Sequence, residues 1–248
     1  MKFEIYPDKK EASIKAAQDA ERRLNEVIEE RGKANFVVAT GLSQVDLLQY
    51  LAERKKVDWS KTEMFQLDEY IGISDKHPSS FRYFLQDYFL GKVKPKEVHT
   101  IRGEANDPER ECSRLNKLLE DVEIDLALVG IGENGHLAFN DPPANFDINE
   151  PYIIVELDRE CREQQVKEGW FSDLKHVPKE AISMSVNQIM ESSEIICTVP
   201  SKRKAKAVKN CFEGDISPEY PASILRNHER ATVYLDQSSA SLLNSFDE

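Results

Sequence analysis

The run Asp125-Leu126-Ala127-Leu128-Val129-Gly130-Ile131-Gly132 constrains the fold more than any other stretch: after its opening aspartate it is unbroken apolar sequence that runs into a glycine turn. A strand with one wet face alternates apolar and polar residues, whereas a run without that alternation must be covered on both faces. Phe36-Val37-Val38-Ala39-Thr40 has the same character and ends at Gly41, and Ile195-Ile196-Cys197-Thr198-Val199 and Ala231-Thr232-Val233-Tyr234-Leu235 supply later strands. Helical patterns separate them. Residues 9–31 set Ile14, Ala17, Ala20, Leu24 and Ile28 at helical spacing, and a second helix carries Val45, Leu47, Leu48 and Leu51. Another runs near 108–121, and a basic one begins near Ser201. Strands alternating with helices predict an α/β fold: a three-layer open sheet, mostly parallel, with helices on both faces.

Between these landmarks, Met64-Phe65-Gln66-Leu67-Asp68 reads as a short strand. Pro78 suits the first turn of a helix whose Phe81, Phe84, Tyr88 and Phe89 share one face, a stripe expected to pack in the core. Residues 141–180 read as polar and irregular, with Pro142, Pro143 and Pro151, and are expected to form a mobile cover over a ligand. Neither a repeat nor a linker divides the 248 residues, so a single domain over 1–248 is expected.

Charge and cysteine content narrow the function. With 33 Lys and Arg against 45 Asp and Glu, the net charge is -12. This opposes a phosphate-coating nucleic-acid binder and a polybasic membrane protein, but a small anionic substrate needs only a local positive site. Cys112, Cys161, Cys197 and Cys211 form no CxxC pair, so neither a disulfide framework nor a zinc cluster is expected, and no cofactor. MKFEIYPDKK lacks the apolar centre of a secretion signal, and no run approaches the roughly 18 apolar residues of a membrane span. The expected location is the cytoplasm.

Ligands of open parallel sheets sit beyond the carboxyl ends of the strands, and three polar clusters fall there. Thr40-Gly41-Leu42-Ser43 can cradle an anion at a helix N-terminus, or serve as a plain cap. Asp68-Glu69-Tyr70 follows a buried strand and can supply a partly desolvated base, or form a solvated loop. In Gly130–Pro142, His136 has Asn134 two residues before it and Asp141 five after, a grouping suited to a proton relay.

Together these segments resemble the glucosamine-6-phosphate isomerase/deaminase and 6-phosphogluconolactonase superfamily, in the right order over about 34–236. Asp68-Glu69-Tyr70 is similar to the DEY of the deaminase branch, where lactonases typically carry DER. His136-Leu137-Ala138-Phe139-Asn140-Asp141-Pro142 is similar to that branch's GHIAFNEP. The resemblance implies a modified Rossmann-like sheet and a deaminase of an amino sugar 6-phosphate, in the first instance glucosamine 6-phosphate, giving fructose 6-phosphate and ammonia. Its rivals are lactone hydrolysis and a non-catalytic sugar-phosphate-binding regulator.

The resemblance also implies roles. Asp68 would move a proton between C2 and C1, and His136 would open the pyranose ring, with Asp141 and Asn134 as its relay. Thr40, Gly41, Ser43 and Lys204 would hold the phosphate, and Glu69 would contact substrate. The family's lid adds an arginine to the phosphate site; here Arg162 is the candidate. No metal, nucleic acid or membrane partner is implied, and homo-oligomerisation is left open.

Overall fold

The computed structural model describes residues 1–244. In chain order its strands are β1 (Lys2–Tyr6), β2 (Ala34–Val38), β3 (Thr62–Gln66), β4 (Asp68–Tyr70), β5 (Glu97–His99), β6 (Leu126–Val129), β7 (Tyr152–Glu156), β8 (Glu180–Met184), β9 (Ile195–Val199) and β10 (Ala231–Asp236). The α-helices are α1 (Lys9–Arg31), α2 (Val45–Glu53), α3 (Phe81–Leu85), α4 (Pro108–Leu119), α5 (Arg159–Lys167), α6 (Val186–Met190) and α7 (Ala205–Glu213). Seven strands make one sheet in the order β1-β10-β9-β6-β2-β3-β5, and every pairing in it is parallel.

The apolar strands are explained by what covers them. Phe36 and Val38 of β2 and Leu126 and Leu128 of β6 pack in a cluster with Leu24 of α1, Leu47 of α2 and Phe84 of α3. The intervening Val37, Ala127 and Val129 join the opposite cluster, with Leu115 of α4 and Val208 of α7. Side chains alternate across a strand with period two, so two covered faces require apolar residues at every position. The longest helix, α1, opens where Asp8 accepts a hydrogen bond from Glu11 N at 2.9 Å and closes at Gly32, whose φ is 76°.

Sequence and structure part after β3. The stretch expected as one strand, Met64 to Asp68, is broken at Leu67, which belongs to two sheets at once: its N–H donates to Val38 O, and its carbonyl accepts from Met184 N. Gln66 holds this corner, donating to Asp68 O at 2.8 Å and accepting from Ile101 N at 3.0 Å. Asp68 thereby enters a second, antiparallel sheet, β4-β8-β7, opposite Ser183.

That sheet also corrects the reading of 141–180 as irregular. The segment contains β7, paired antiparallel with β8, and the whole of α5, which begins at an Asp158 cap. The strand is short and half-buried, and the flanking prolines concealed it. Strands β1 and β5 likewise carry no apolar run in the sequence. Both lie at sheet edges, where one-sided pairing leaves side chains partly in water and weakens the apolar signal. The aromatic stripe is core as expected at Phe84 and Phe89, but the helix begins at Phe81 with Ser80 as its cap, not at Pro78.

Because Leu128 is buried in the central β6 against the α1–α2 layer, Leu128→Ala should destabilise the chain by about 2–5 kcal/mol. Urea denaturation would measure it, and a loss below about 1 kcal/mol would contradict tight packing at that position.

Candidate active site

The carboxyl ends of β2, β6 and β9, together with the β3–β4 corner, converge on one cavity. Thr40, Gly41, Ser43, Asp68, His136 and Lys204 all line it. Of the residues expected in the site, Asn134 and Asp141 stand behind His136, whereas Glu69 and Arg162 face elsewhere.

The first wall is the turn between β2 and α2. Gly41 has a φ of 96°, a left-handed conformation that suits glycine. Gln44, buried completely, locks the turn onto the neighbouring strand ends. Its amide donates to Val129 O and Thr198 O, both at 3.4 Å, and accepts from Thr198 Oγ1 at 3.1 Å. The hydroxyl of Thr40 is buried and has no hydrogen-bond partner among the described residues. An orphaned hydroxyl beside a helix N-terminus is a ready donor to an anion.

Lys204 supplies the positive charge. It ends a short 3-10 turn, Lys202–Lys204, that follows Ser201 in a left-handed conformation with φ 89°. Asp236 Oδ2 holds Ser201 in place, accepting its N–H at 3.0 Å. Only 5% of Lys204 is exposed. Burial pushes its pKa down, against the attraction of Glu168 and Glu133.

The two adjacent carboxylates of β4 diverge. Asp68 faces the cavity, and its carboxylate has no hydrogen-bond partner among the described residues. Burial, reinforced by the charge of Glu69, holds its pKa well above the usual carboxylate range. Glu69 does not line the cavity, which corrects its expected contact with substrate. Alternation along β4 turns it to the other side, where it caps α3, accepting from Ser80 Oγ at 2.7 Å, Phe81 N at 3.1 Å and Arg82 N at 3.0 Å. One carboxylate of the pair faces the cavity and the other caps a helix.

The histidine turn forms a connected relay. His136 Nδ1 lies 3.0 Å from Asp141 Oδ1, and Asn134 Nδ2 donates to the same oxygen at 3.1 Å. Asn134 Oδ1 accepts from His136 N at 3.1 Å, while Asp158 N donates to Asp141 Oδ2 at 3.0 Å. Burial opposes ionisation of Asp141, but the bonds from His136, Asn134 and Asp158 outweigh it and hold its pKa below the usual range. An ionised Asp141 makes Nδ1 the protonated nitrogen and leaves Nε2 free to exchange protons. Gly132 allows this packing: a Cβ there would lie 2.3 Å from the imidazole.

Sequence reasoning missed the contribution of α5. Gln164, Gln165 and Glu168 line the cavity, and the side-chain amide of the buried Gln165 has no hydrogen-bond partner among the described residues. Glutamines at successive positions on one helix carry no signal until the helix is docked. Asp158 could have been found, as an N-cap residue just before a helical stretch. Arg162, the candidate for a phosphate arginine, is committed elsewhere: its Nη2 donates to Leu174 O at 2.8 Å and Val177 O at 3.2 Å, tying down the loop after α5.

Gly132→Ala should displace the imidazole and lower turnover while leaving secondary structure intact; circular dichroism with steady-state kinetics checks both, and undiminished turnover would contradict the packing. For Asp68 the sign follows from its raised pKa. A carboxyl whose folded-state pKa exceeds its unfolded value contributes stability that is present below the unfolded pKa and lost as pH rises through the folded one. Asp68→Asn should therefore be more stable than the parent at neutral pH, by a margin that shrinks as the pH falls from above the usual carboxylate range down into it. Urea midpoints across pH would read it, and a constant margin would mean that Asp68 does not titrate as a buried acid.

Residues 7–234 match the family of glucosamine-6-phosphate isomerases/6-phosphogluconolactonase. The chain is 34% identical over 244 residues to a glucosamine-6-phosphate deaminase of Oenococcus oeni, covering 98% of this chain and 99% of that one. To the glucosamine-6-phosphate deaminase of an Exiguobacterium species it is 38% identical over 231 residues, covering 92% and 89%. A solved monomeric glucosamine-6-phosphate deaminase superposes with a TM-score of 0.89 at 31% identity, covering 98% of this chain and 100% of the other. A 6-phosphogluconolactonase from Shewanella baltica superposes with a TM-score of 0.78 at 17% identity, over 95% and 97% of the two chains, a likeness of fold alone. With a family match over most of its length and relatives above 30% identity, the chain belongs to the glucosamine-6-phosphate isomerase/6-phosphogluconolactonase family.

Proposed function

We propose that the chain is a glucosamine-6-phosphate deaminase, converting glucosamine 6-phosphate and water to fructose 6-phosphate and ammonia. The observation that carries this reading is the convergence of a buried, unpartnered Asp68 and a carboxylate-backed His136 on the cavity that Thr40, Gly41, Ser43 and Lys204 also line.

The phosphate sits on the amides of the Thr40–Ser43 turn and the ammonium of Lys204, a local positive site in an acidic chain. His136 Nε2 then moves a proton between O1 and O5, breaking the C1–O5 bond of the pyranose. Asp141 stabilises the imidazolium that forms in transit. Asp68 takes the proton from C2 and returns it to C1. The amine-bearing C2 becomes an imine carbon, water adds there, and ammonia leaves. A raised Asp68 pKa suits this step, since a stronger base is better matched to a carbon acid.

Lactone hydrolysis requires no base at C2 and is the weaker reading. The position after Asp68-Glu69 is Tyr70, fully buried against Phe81, Phe139 and Phe171 and so unable to contribute to a polar site. A binding protein without turnover would gain nothing from a desolvated carboxylate left unpaired. No described helix is long and apolar enough to cross a membrane, and four free cysteines fit a reducing, cytoplasmic setting.

Ammonia release from glucosamine 6-phosphate, assayed beside loss of 6-phosphogluconolactone, decides the reaction; lactone opening without ammonia would overturn the proposal. Asp68→Asn should lower turnover by roughly 10²–10⁴-fold while sugar phosphate still binds. The acid limb of kcat should lie above the usual carboxylate range, because turnover needs ionised Asp68. Lys204→Ala should weaken phosphorylated ligands by about 1.5–3 kcal/mol and unphosphorylated analogues little. Equal weakening of both would make Lys204 a structural residue.

A further inference from the structure

We infer that His136, Asp141 and Cys161 form an inhibitory site for a thiophilic divalent cation of the zinc class, beside a cleft separate from the substrate cavity. The kinetic part of this inference rests on the proposed ring-opening role of His136; the binding part does not.

Three donor atoms, a ring nitrogen of His136, a carboxylate oxygen of Asp141 and the sulfur of Cys161, lie within 4.8 Å of one another. They come from two separate elements: the histidine turn and the first turn of α5, where Asp158 caps the helix. Nitrogen, oxygen and sulfur together are zinc's ligand set; magnesium and calcium, which take oxygen, would leave the thiol unused. Ligand bonds of about 2.0–2.3 Å around a tetrahedral ion set donors roughly 3–4 Å apart, so closure requires only side-chain adjustment. Cys161 is a free thiol.

The second observation is an acidic cleft next to the donors, one residue removed from Asp141. The cleft, of about 370 Å³, is lined by Glu133, Asp158, Glu160 and Glu219, with Lys206 as its basic residue. Four carboxylates against one ammonium give it a negative field that concentrates cations. None of its lining residues lines the substrate cavity. Yet two of them reach the donor set: Asn134 Nδ2 bonds Asp141 Oδ1 at 3.1 Å and Asp158 Oδ2 at 3.0 Å, and Asp158 N bonds Asp141 Oδ2 at 3.0 Å.

On binding, the thiol of Cys161 loses its proton to solvent and His136 Nδ1 surrenders its own, so that both offer a lone pair to the ion beside the Asp141 oxygen. The Nδ1–H···Asp141 bond is broken and the imidazole is fixed on the metal. Ring opening stops, while the phosphate turn, Lys204 and Asp68 stay as they are. Inhibition should therefore lower kcat without changing KM.

The test uses the intact protein, with Zn2+ for calorimetry and kinetics and Co2+ as a spectroscopic stand-in. The parent should bind one Zn2+ per chain and show a sulfur-to-cobalt charge-transfer band with Co2+. Cys161→Ser should lose the band and weaken Zn2+ binding by about 100-fold or more, since outer partners alone carry roughly 10–100-fold. Its deamination without metal should match the parent's and resist Zn2+; Cys161→Ala serves if the serine variant does not fold. Absence of the cobalt band in the parent would overturn the site. So would Zn2+ binding that survives both Cys161 variants but is lost in His99→Gln, since Glu63, Glu97 and His99 form a second candidate group at the sheet edge. Competition between Zn2+ and sugar phosphate, seen as a raised KM, would put the ion in the main cavity and also overturn it. If the chain lacks deaminase activity, the calorimetry and the cobalt band still decide the binding site.

Discussion

Coverage of the seven-stranded sheet on both faces is the constraint from which the rest follows. With α1, α2 and α3 on one side and α4 and α7 on the other, the central strands have no wet face on which to place a polar group. Backbone N–H and C=O groups find partners along the parallel ladder, and polar side chains are displaced to the strand ends. The carboxyl ends of β2, β6 and β9 are where the chain stops being apolar, and there Gln44 ties the Thr40–Ser43 turn to Val129 and Thr198. Chemistry is confined to one rim because a doubly covered sheet offers nowhere else.

The corner at Gln66–Leu67 adds what the parallel sheet cannot. By passing the chain from β3 into the antiparallel β4, it brings Asp68 to the cavity from a second sheet and points Glu69 away from it. Two carboxylates adjacent in sequence thus meet different partners, although burial raises the pKa of both. Glu69 receives hydrogen bonds from the start of α3, while Asp68 is desolvated and left without partners. The same logic separates Asp141 from Asp68. Both are buried, but three donors stabilise the Asp141 anion and none stabilises that of Asp68. Burial pushes both pKa values up; the donors around Asp141 outweigh it, and nothing does so at Asp68.

Much of the site was legible because local chemistry marks it. A glycine after a buried strand, a histidine flanked by Asn134 and Asp141 and an acidic pair after a strand each narrow what a segment can do before it is packed. Thr40, Gly41, Ser43, Asp68, His136 and Lys204 all reach the cavity, with Asn134 and Asp141 directly behind the imidazole. The failures share a cause. Glu69, Arg162, Gln164 and Gln165 have roles that depend on which face of an element meets which neighbour, and residue type does not encode that.

The sequence by itself determined the layer order and the rim on which ligands sit, because hydrophobic periodicity and glycine turns are local properties that follow directly from side-chain chemistry. Tertiary structure alone decided that Asp68 faces the cavity while Glu69 caps a helix, that Arg162 ties down a loop, and that α5 and the residue after it bring Gln165 and Glu168 to the cavity. Those outcomes depend on contacts between segments far apart in the chain, such as Asp158 with Asp141 and Gln66 with Ile101. Their energies arise from desolvation and from the number of donors brought together, quantities that do not exist until the chain has folded.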